Sequence, residues 1–128
     1  MIYILDTCTF IWLCAEPIRL SKTVRVAIDA GDTDLVLCDA SVLEIALKWQ
    51  AGKITLPEPP RVWVEHQCRI WSIGSLPISR EHVYRTVELP EHHRDPFDRL
   101  LIAAALAEGA TILTPDPAIQ RYPVSWCW

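Results

Sequence analysis

The stretch from His93 to Asp116, reading HRDPFDRLLIAAALAEGATILTPD, constrains the fold more than any other part of the chain. It opens on a charged cluster and then runs from Leu100 to Ala107 without a polar side chain. A helix that is apolar on every side has to be buried over most of its circumference. Asp95 suits the N-cap of that helix, where its carboxylate accepts free amide hydrogens, and Pro96 suits the first helical position. Asp98 falls in the first turn, where the helix dipole favours an acid. Gly109 ends the helix, and Ala110 to Leu113 reads as a buried strand with Thr114-Pro115-Asp116 at its carboxyl end. Asp95, Asp98 and Asp116 thus each have a structural explanation as cap or turn residue before any chemistry is considered.

The remaining segments supply the sheet that such a helix needs. Ile2–Leu5 and Leu35–Cys38 are continuous apolar runs, the mark of strands covered on both faces. Asp6 follows the first run. In open α/β sheets ligands sit outside the carboxyl ends of strands, yet an aspartate there equally caps a helix beginning near Thr9. Ser21 caps a helix that ends near Gly31. Ser41-Val42-Leu43-Glu44 has the pattern of a capping box opening a helix to Gly52, and Lys48, four residues on, offers Glu44 an ion pair. Pro60 opens a helix whose Val62, Trp63, His66 and Ile70 make one stripe, and Ser79 caps another through Val87. His66 and His82 stand alone and read as exposed or satisfied structural residues. His92 and His93 are adjacent, so on a regular element they diverge, which weighs against a ligand pair. Val124 to Trp128 reads as a final edge strand. Helices alternating with short apolar strands predict a single domain over residues 1–128, a three-layer α/β/α sandwich around a mainly parallel sheet.

Bulk properties narrow the function. Apolar residues make up 51% of the 128 positions and charged residues 22%, which describes a packed globule. A formal charge of -4 leaves no overall basic footprint, so polyanion binding requires local basic residues or bound cations. The five cysteines are odd in number and scattered, with no CxxC pair, as expected of small hydrophobes in a reducing, cytoplasmic compartment. No stretch approaches the roughly 20 apolar residues of a membrane span.

Asp6 and Asp116 end strands, and Glu44 opens a helix just after one. In a parallel sheet with right-handed crossovers these positions share one edge. Asp98 joins them if its helix brings it there. Four carboxylates on one edge repel and raise each other's pKa, and a hard divalent cation with oxygen ligands is the usual remedy. Phosphodiester hydrolysis by metal-activated water is the chemistry such a site supports.

The segments LDTCTFIW (from Leu5), SVLEIALKWQAGKI (from Ser41), HRDPFDRLLIAAAL (from His93) and TILTPDPAIQRYPV (from Thr111) resemble the PIN domain, and most closely its VapC toxins of toxin–antitoxin modules. The resemblance covers nearly the whole chain in the family's motif order. It implies a magnesium- or manganese-dependent endoribonuclease on a three-layer α/β/α fold, with acidic site positions at Asp6, Glu44, Asp98 and Asp116. An RNA substrate, a VapB-type antitoxin whose tail occupies the active-site groove, and a toxin homodimer are implied with it. Relatives with this motif set often carry histidine where this chain has Cys8. Thr7 and Thr114 lie beside site carboxylates and are candidates to orient water or ligand. Arg94 and Arg99 are candidates for phosphate contact or for surface ion pairs, and Asp95 for the helix cap or the second layer of the site. Lys48 and Lys53 are candidates for an RNA path or plain solvated lysines. A haloacid-dehalogenase-type phosphatase needs a second aspartate two residues after the first, where Cys8 stands. A non-catalytic PIN-fold module that binds protein or RNA is the alternative function.

Overall fold

The computed structural model describes residues 1–128. Five strands, β1 (Ile2–Leu5), β2 (Asp34–Cys38), β3 (Gly74–Leu76), β4 (Thr111–Leu113) and β5 (Ser125–Cys127), form one sheet in the order β3-β2-β1-β4-β5. Every neighbouring pair is parallel. β1 lies at the centre, with Leu5 opposite Leu37 on one side and Leu113 on the other. The chain lays down β2 and β3 to one side of β1, then crosses to place β4 and β5 on the other. The order of strand addition therefore reverses between β1 and β4, where α/β folds open a crevice at the strand carboxyl ends.

Because side chains alternate along a strand, adjacent residues feed opposite cores. Leu5, Leu37 and Leu113 pack with Phe10, Leu13, Val24, Ile45 and Trp63 on one face. Those partners come from α1 (Thr7–Ala15), α2 (Lys22–Asp29), α3 (Asp39–Gln50) and α4 (Pro60–Trp71). Ile4, Cys38 and Ile112 point the other way, into a second core with Leu101, Ile102, Ala104 and Ala105 of α6 (Pro96–Glu108). α5 (Arg80–Glu88) packs on α6, and α7 (Pro117–Gln120) carries the chain from β4 to β5. The three layers and the parallel sheet follow the reading of the sequence. Edge strand β5 forms where Val124–Trp128 was assigned to one.

Local chemistry sets the helix ends. Ser21 accepts from the Val24 amide at 3.1 Å, and Asp95 accepts from Phe97 and Asp98 at 2.8 and 3.3 Å. Gly109 closes α6 at φ +63°, a left-handed conformation that costs glycine little. The capping box expected at Ser41 and Glu44 does not form. β2 passes straight into α3 at Asp39, with Cys38 as the N-cap residue, so Ser41 is already inside the helix and buried. Glu44 lies beyond the first turn and its carboxylate faces α1 instead. A capping box does occur at Ser79, where the residue at the third helical position is His82. Its Nδ1 accepts from the Ser79 amide at 3.1 Å, and its Nε2 lies 3.2 Å from Glu108. His82 is thus a satisfied, buried structural histidine.

Candidate active site

Asp6 terminates the central strand and caps α1, accepting through Oδ1 from the Thr9 amide at 2.8 Å. Capping and site membership therefore coincide in one residue: the cap directs Oδ2 sideways, where Thr114 Oγ1 donates to it at 2.5 Å. Thr114 is fully buried just beyond β4, so this bond ties the carboxyl ends of β1 and β4 together across the crevice. Glu44, 5% exposed on α3, is held from two sides. Thr7 Oγ1 donates to Oε1 at 2.5 Å, and Lys48 Nζ lies 2.8 Å from Oε2. The Lys48 ion pair anticipated along the helix face exists. It shares Glu44 with a contact to α1 that local spacing does not reveal.

Asp98 and Asp116 complete the cleft. Asp116 caps α7 through Oδ1, accepting from the Ala118 amide at 2.9 Å, while its own amide donates to Thr114 Oγ1 at 3.0 Å. Its Oδ2 lies 3.0 Å from His93 Nε2, which also lies 2.9 Å from Asp98 Oδ2. One cleft of about 270 Å³ is lined by Asp6, Thr7, Cys8, Ile11, Glu44, Lys48, Ile54, Asp95, Asp98 and Asp116. All four carboxylates singled out in the sequence reach it, each from a different turn of the chain. So does Asp95, whose Oδ1 is committed to the α6 cap. Thr7 and Thr114 orient Glu44 and Asp6.

The electrostatics call for a cation. Burial pushes the Asp6 carboxyl up against the hydrogen bonds from Thr114, Thr9 and Cys8 that would lower it. Asp98 is pushed up to about 7, chiefly by burial and then by the charge of Asp95, with Glu44 and Asp6 adding to it and His93 opposing. Burial, with Asp6 beside it, also raises the Cys8 thiol, so Cys8 sits in the cleft as a protonated thiol 3.4 Å from Asp6 Oδ1. An oxygen-rich pocket in which neighbouring acids hold back the ionisation of Asp98 matches the donor set of magnesium or manganese, and poorly matches a soft metal.

Arg99 takes no part in this cleft. Its guanidinium donates to the carbonyls of Thr86, Leu89, Pro90 and His93 and to the Tyr122 hydroxyl. The phosphate-contact role considered for it gives way to this one, because its donor fork is occupied by the loop before α6. Arg94 remains exposed, beside Arg99 in an adjoining cleft of about 520 Å³ that also contains Thr86, Glu91 and His93. Two residues escaped the sequence reading. His93 was set aside because its neighbour is also histidine, but the loop is irregular, so His93 turns toward Asp98 and Asp116 while the His92 ring packs edge-on against Tyr122. Tyr122, 3% exposed, accepts through its hydroxyl from the His92 and His93 amides at 3.1 and 2.9 Å. The only signal for it was a tyrosine in an apolar tail.

An open parallel α/β domain with a carboxylate cleft at its switch point places its acidic groups where such folds bind ligands. The profile of the PIN domain matches residues 3–124, and the chain belongs to that family. A ribonuclease named VapC22 from Mycobacterium tuberculosis is 28% identical over 120 residues, covering 93% of this chain and 90% of the relative. Among solved structures, the VapBC2 complex of Rickettsia felis bound to a promoter DNA fragment contains a chain with a TM-score of 0.75 at 17% identity, over 99% of this chain and 98% of that one. DNA-bound VapBC from Salmonella typhimurium gives 0.72 at 17% identity, over 99% and 97%. These structural likenesses bear on the fold.

Proposed function

We propose that this protein is an endoribonuclease that hydrolyses RNA phosphodiester bonds with magnesium or manganese, and that it serves as the toxin of a toxin–antitoxin pair. The observation that carries the reading is the meeting of Asp6, Glu44, Asp98 and Asp116 in one cleft at the strand carboxyl ends. Membership of the PIN family and the relative named as a ribonuclease support it.

Asp6, Glu44, Asp98 and Asp116 are the residues that would hold the ion, and each retains lone pairs beyond the hydrogen bonds it accepts. When bound, the ion supplies an activated water and neutralises charge building on the phosphate. The protein's own contribution is orientation. Thr114 and the Thr9 amide fix both oxygens of Asp6, and Thr7 with Lys48 fixes both oxygens of Glu44. Carboxylates held this way need no rearrangement during the reaction. A second cleft of about 270 Å³ shares Glu44, Lys48 and Asp95 with the first and adds Lys53 and Phe97. In this reading it is the RNA path, with Lys53 and the donors of Lys48 not held by Glu44 for backbone phosphates and an aromatic ring for a base.

The partner in this reading is a VapB-type antitoxin, supported by solved relatives that are toxin–antitoxin complexes. Self-association as a homodimer accords with the exposed apolar side chains Val83, Tyr84 and Val87 on α5. No helix is long and apolar enough to cross a membrane, and the proposed place of action is the cytoplasm.

Purified protein should cleave RNA when Mg2+ or Mn2+ is present and stop in excess EDTA. Asp98→Asn should lower cleavage at least a hundredfold and relieve growth inhibition while the fold, checked by circular dichroism, stays intact. Sequencing RNA ends after brief expression of both forms reads activity and target together. Equal cleavage with and without EDTA would overturn the metal mechanism.

A further inference from the structure

We propose that His93 is a positioning residue that donates an Nε2–H hydrogen bond to the Asp98 and Asp116 pair, in a tautomer set by the Asp95 amide, and is not a ligand to the ion. The inference rests on the reading of Asp98 and Asp116 as site carboxylates.

By distance alone His93, Asp98 and Asp116 would pass for a three-residue metal set, since their ligand atoms lie within 4.8 Å of one another. The other side of the ring decides otherwise. His93 Nδ1 lies 3.1 Å from the Asp95 backbone nitrogen, which can only donate. Nδ1 must then present its lone pair, and in a neutral imidazole the single proton resides on Nε2. That proton points at Asp98 Oδ2, 2.9 Å away, and Asp116 Oδ2, 3.0 Å away. Binding an ion through Nε2 would require moving the proton to Nδ1, where two donors would face each other across 3.1 Å.

The backbone that carries the ring is held on both sides. Its backbone amide donates to Tyr122 Oη at 2.9 Å, and its carbonyl accepts from Arg99 at 3.1 Å. The amide opposite Nδ1 is fixed as well, because the Asp95 side chain caps α6 through the Phe97 and Asp98 amides. Asp95, itself at the edge of the cleft, therefore acts on the site in two further ways: its carboxylate starts the helix carrying Asp98, and its amide chooses which nitrogen of His93 carries the proton. With that proton between them, two carboxylate oxygens from helix α6 and the turn after β4 keep a fixed separation. Partners of this kind in the layer around a metal typically change affinity or rate by 10–100-fold when removed.

The test is imidazole 15N NMR on the whole protein, metal-free and then with excess Mg2+, with the His93 signals assigned by their loss in His93→Gln. The Nε2–H tautomer is expected in both states. An Nδ1–H tautomer in the metal-free protein, or conversion to it on adding Mg2+, overturns the proposal. So does a directly bound 14N coupling in the electron spin echo spectrum of the Mn2+-loaded protein. In cleavage assays His93→Ala should lose about tenfold in kcat with little change in KM, and His93→Gln, which keeps a donor at the same reach, should recover most of it. Equal loss in both variants counts against the donor role. If the Nε2–H tautomer is present but Mg2+ alters neither spectrum nor thermal stability, the metal-dependent nuclease reading falls while the hydrogen-bonded arrangement stands.

Discussion

At the scale of single residues, Asp98 is the side chain whose ionisation couples the site to stability. Its carboxyl is raised from 3.8 to about 7 in the folded, metal-free protein, first by burial and then by neighbouring acids. Between those two values the native state holds a proton that the unfolded chain releases, so stability falls as pH rises across that window. The metal-free protein should therefore melt at lower temperature at pH 8 than at pH 5.5. Asp98→Asn carries no charge at either pH and should flatten that slope, raising Tm at pH 8 by roughly 3–6 °C, equivalent to about 1–2 kcal/mol. Scanning calorimetry of both forms in EDTA measures the difference; an unchanged slope in the variant would remove Asp98 as its source. The site residues were legible to different depths for a physical reason. Asp6, Asp98 and Asp116 sit at element ends, which hydrophobic patterning locates, whereas Glu44 lies in the middle of α3 and was placed at a helix start only through a capping box that does not form. The threonines that hold Asp6 and Glu44 act across 108 and 37 residues, a separation no local pattern encodes.

At the scale of elements, the loop before α6 depends on a contact that sequence assigns to nothing. Pro90 to Arg94 has neither strand nor helix to satisfy its backbone, and Arg99 and Tyr122 take over that duty. A guanidinium fork spans several carbonyls at once; an ammonium cannot. Arg99→Lys should cost about 1–3 kcal/mol in urea unfolding and lower kcat, while leaving RNA affinity unchanged. A contact to RNA phosphate would give the opposite pattern, with affinity lost and stability kept. The misassigned capping box at Ser41 teaches the same lesson from the other direction. The S-x-x-E pattern was present, but α3 starts at Asp39, directly where β2 ends, and once the start shifts by three residues the pattern is spent. At Ser79 the box is real, and histidine in place of the usual acid hid it.

At the scale of the molecule, the central position of β1 and the burial of α6 set the order in which the structure opens. Ile4, Leu5, Ile112 and Leu113 are completely buried, with helices covering both faces of the sheet, whereas β3 and β5 lie at its edges. Hydrogen exchange should be slowest at the amides of β1, β4 and the middle of α6, and faster by at least tenfold in β3 and β5. Uniform protection across all five strands would contradict this layering. Much of the architecture was legible because parallel strands announce themselves as unbroken apolar runs. β3, with only Gly74, Ser75 and Leu76, has no such run, and it is its pairing with β2 that defines it.

The Thr114–Asp6 bond has a consequence in time as well as in space. It joins the first strand to the fourth, and Asp116 arrives only with the turn beyond it. During synthesis Asp6 and Glu44 leave the ribosome early, yet Asp98 follows only after three of the five strands, and Thr114 and Asp116 only after the fourth. A growing chain therefore cannot bring the four carboxylates together until β4 and the turn beyond it have been made.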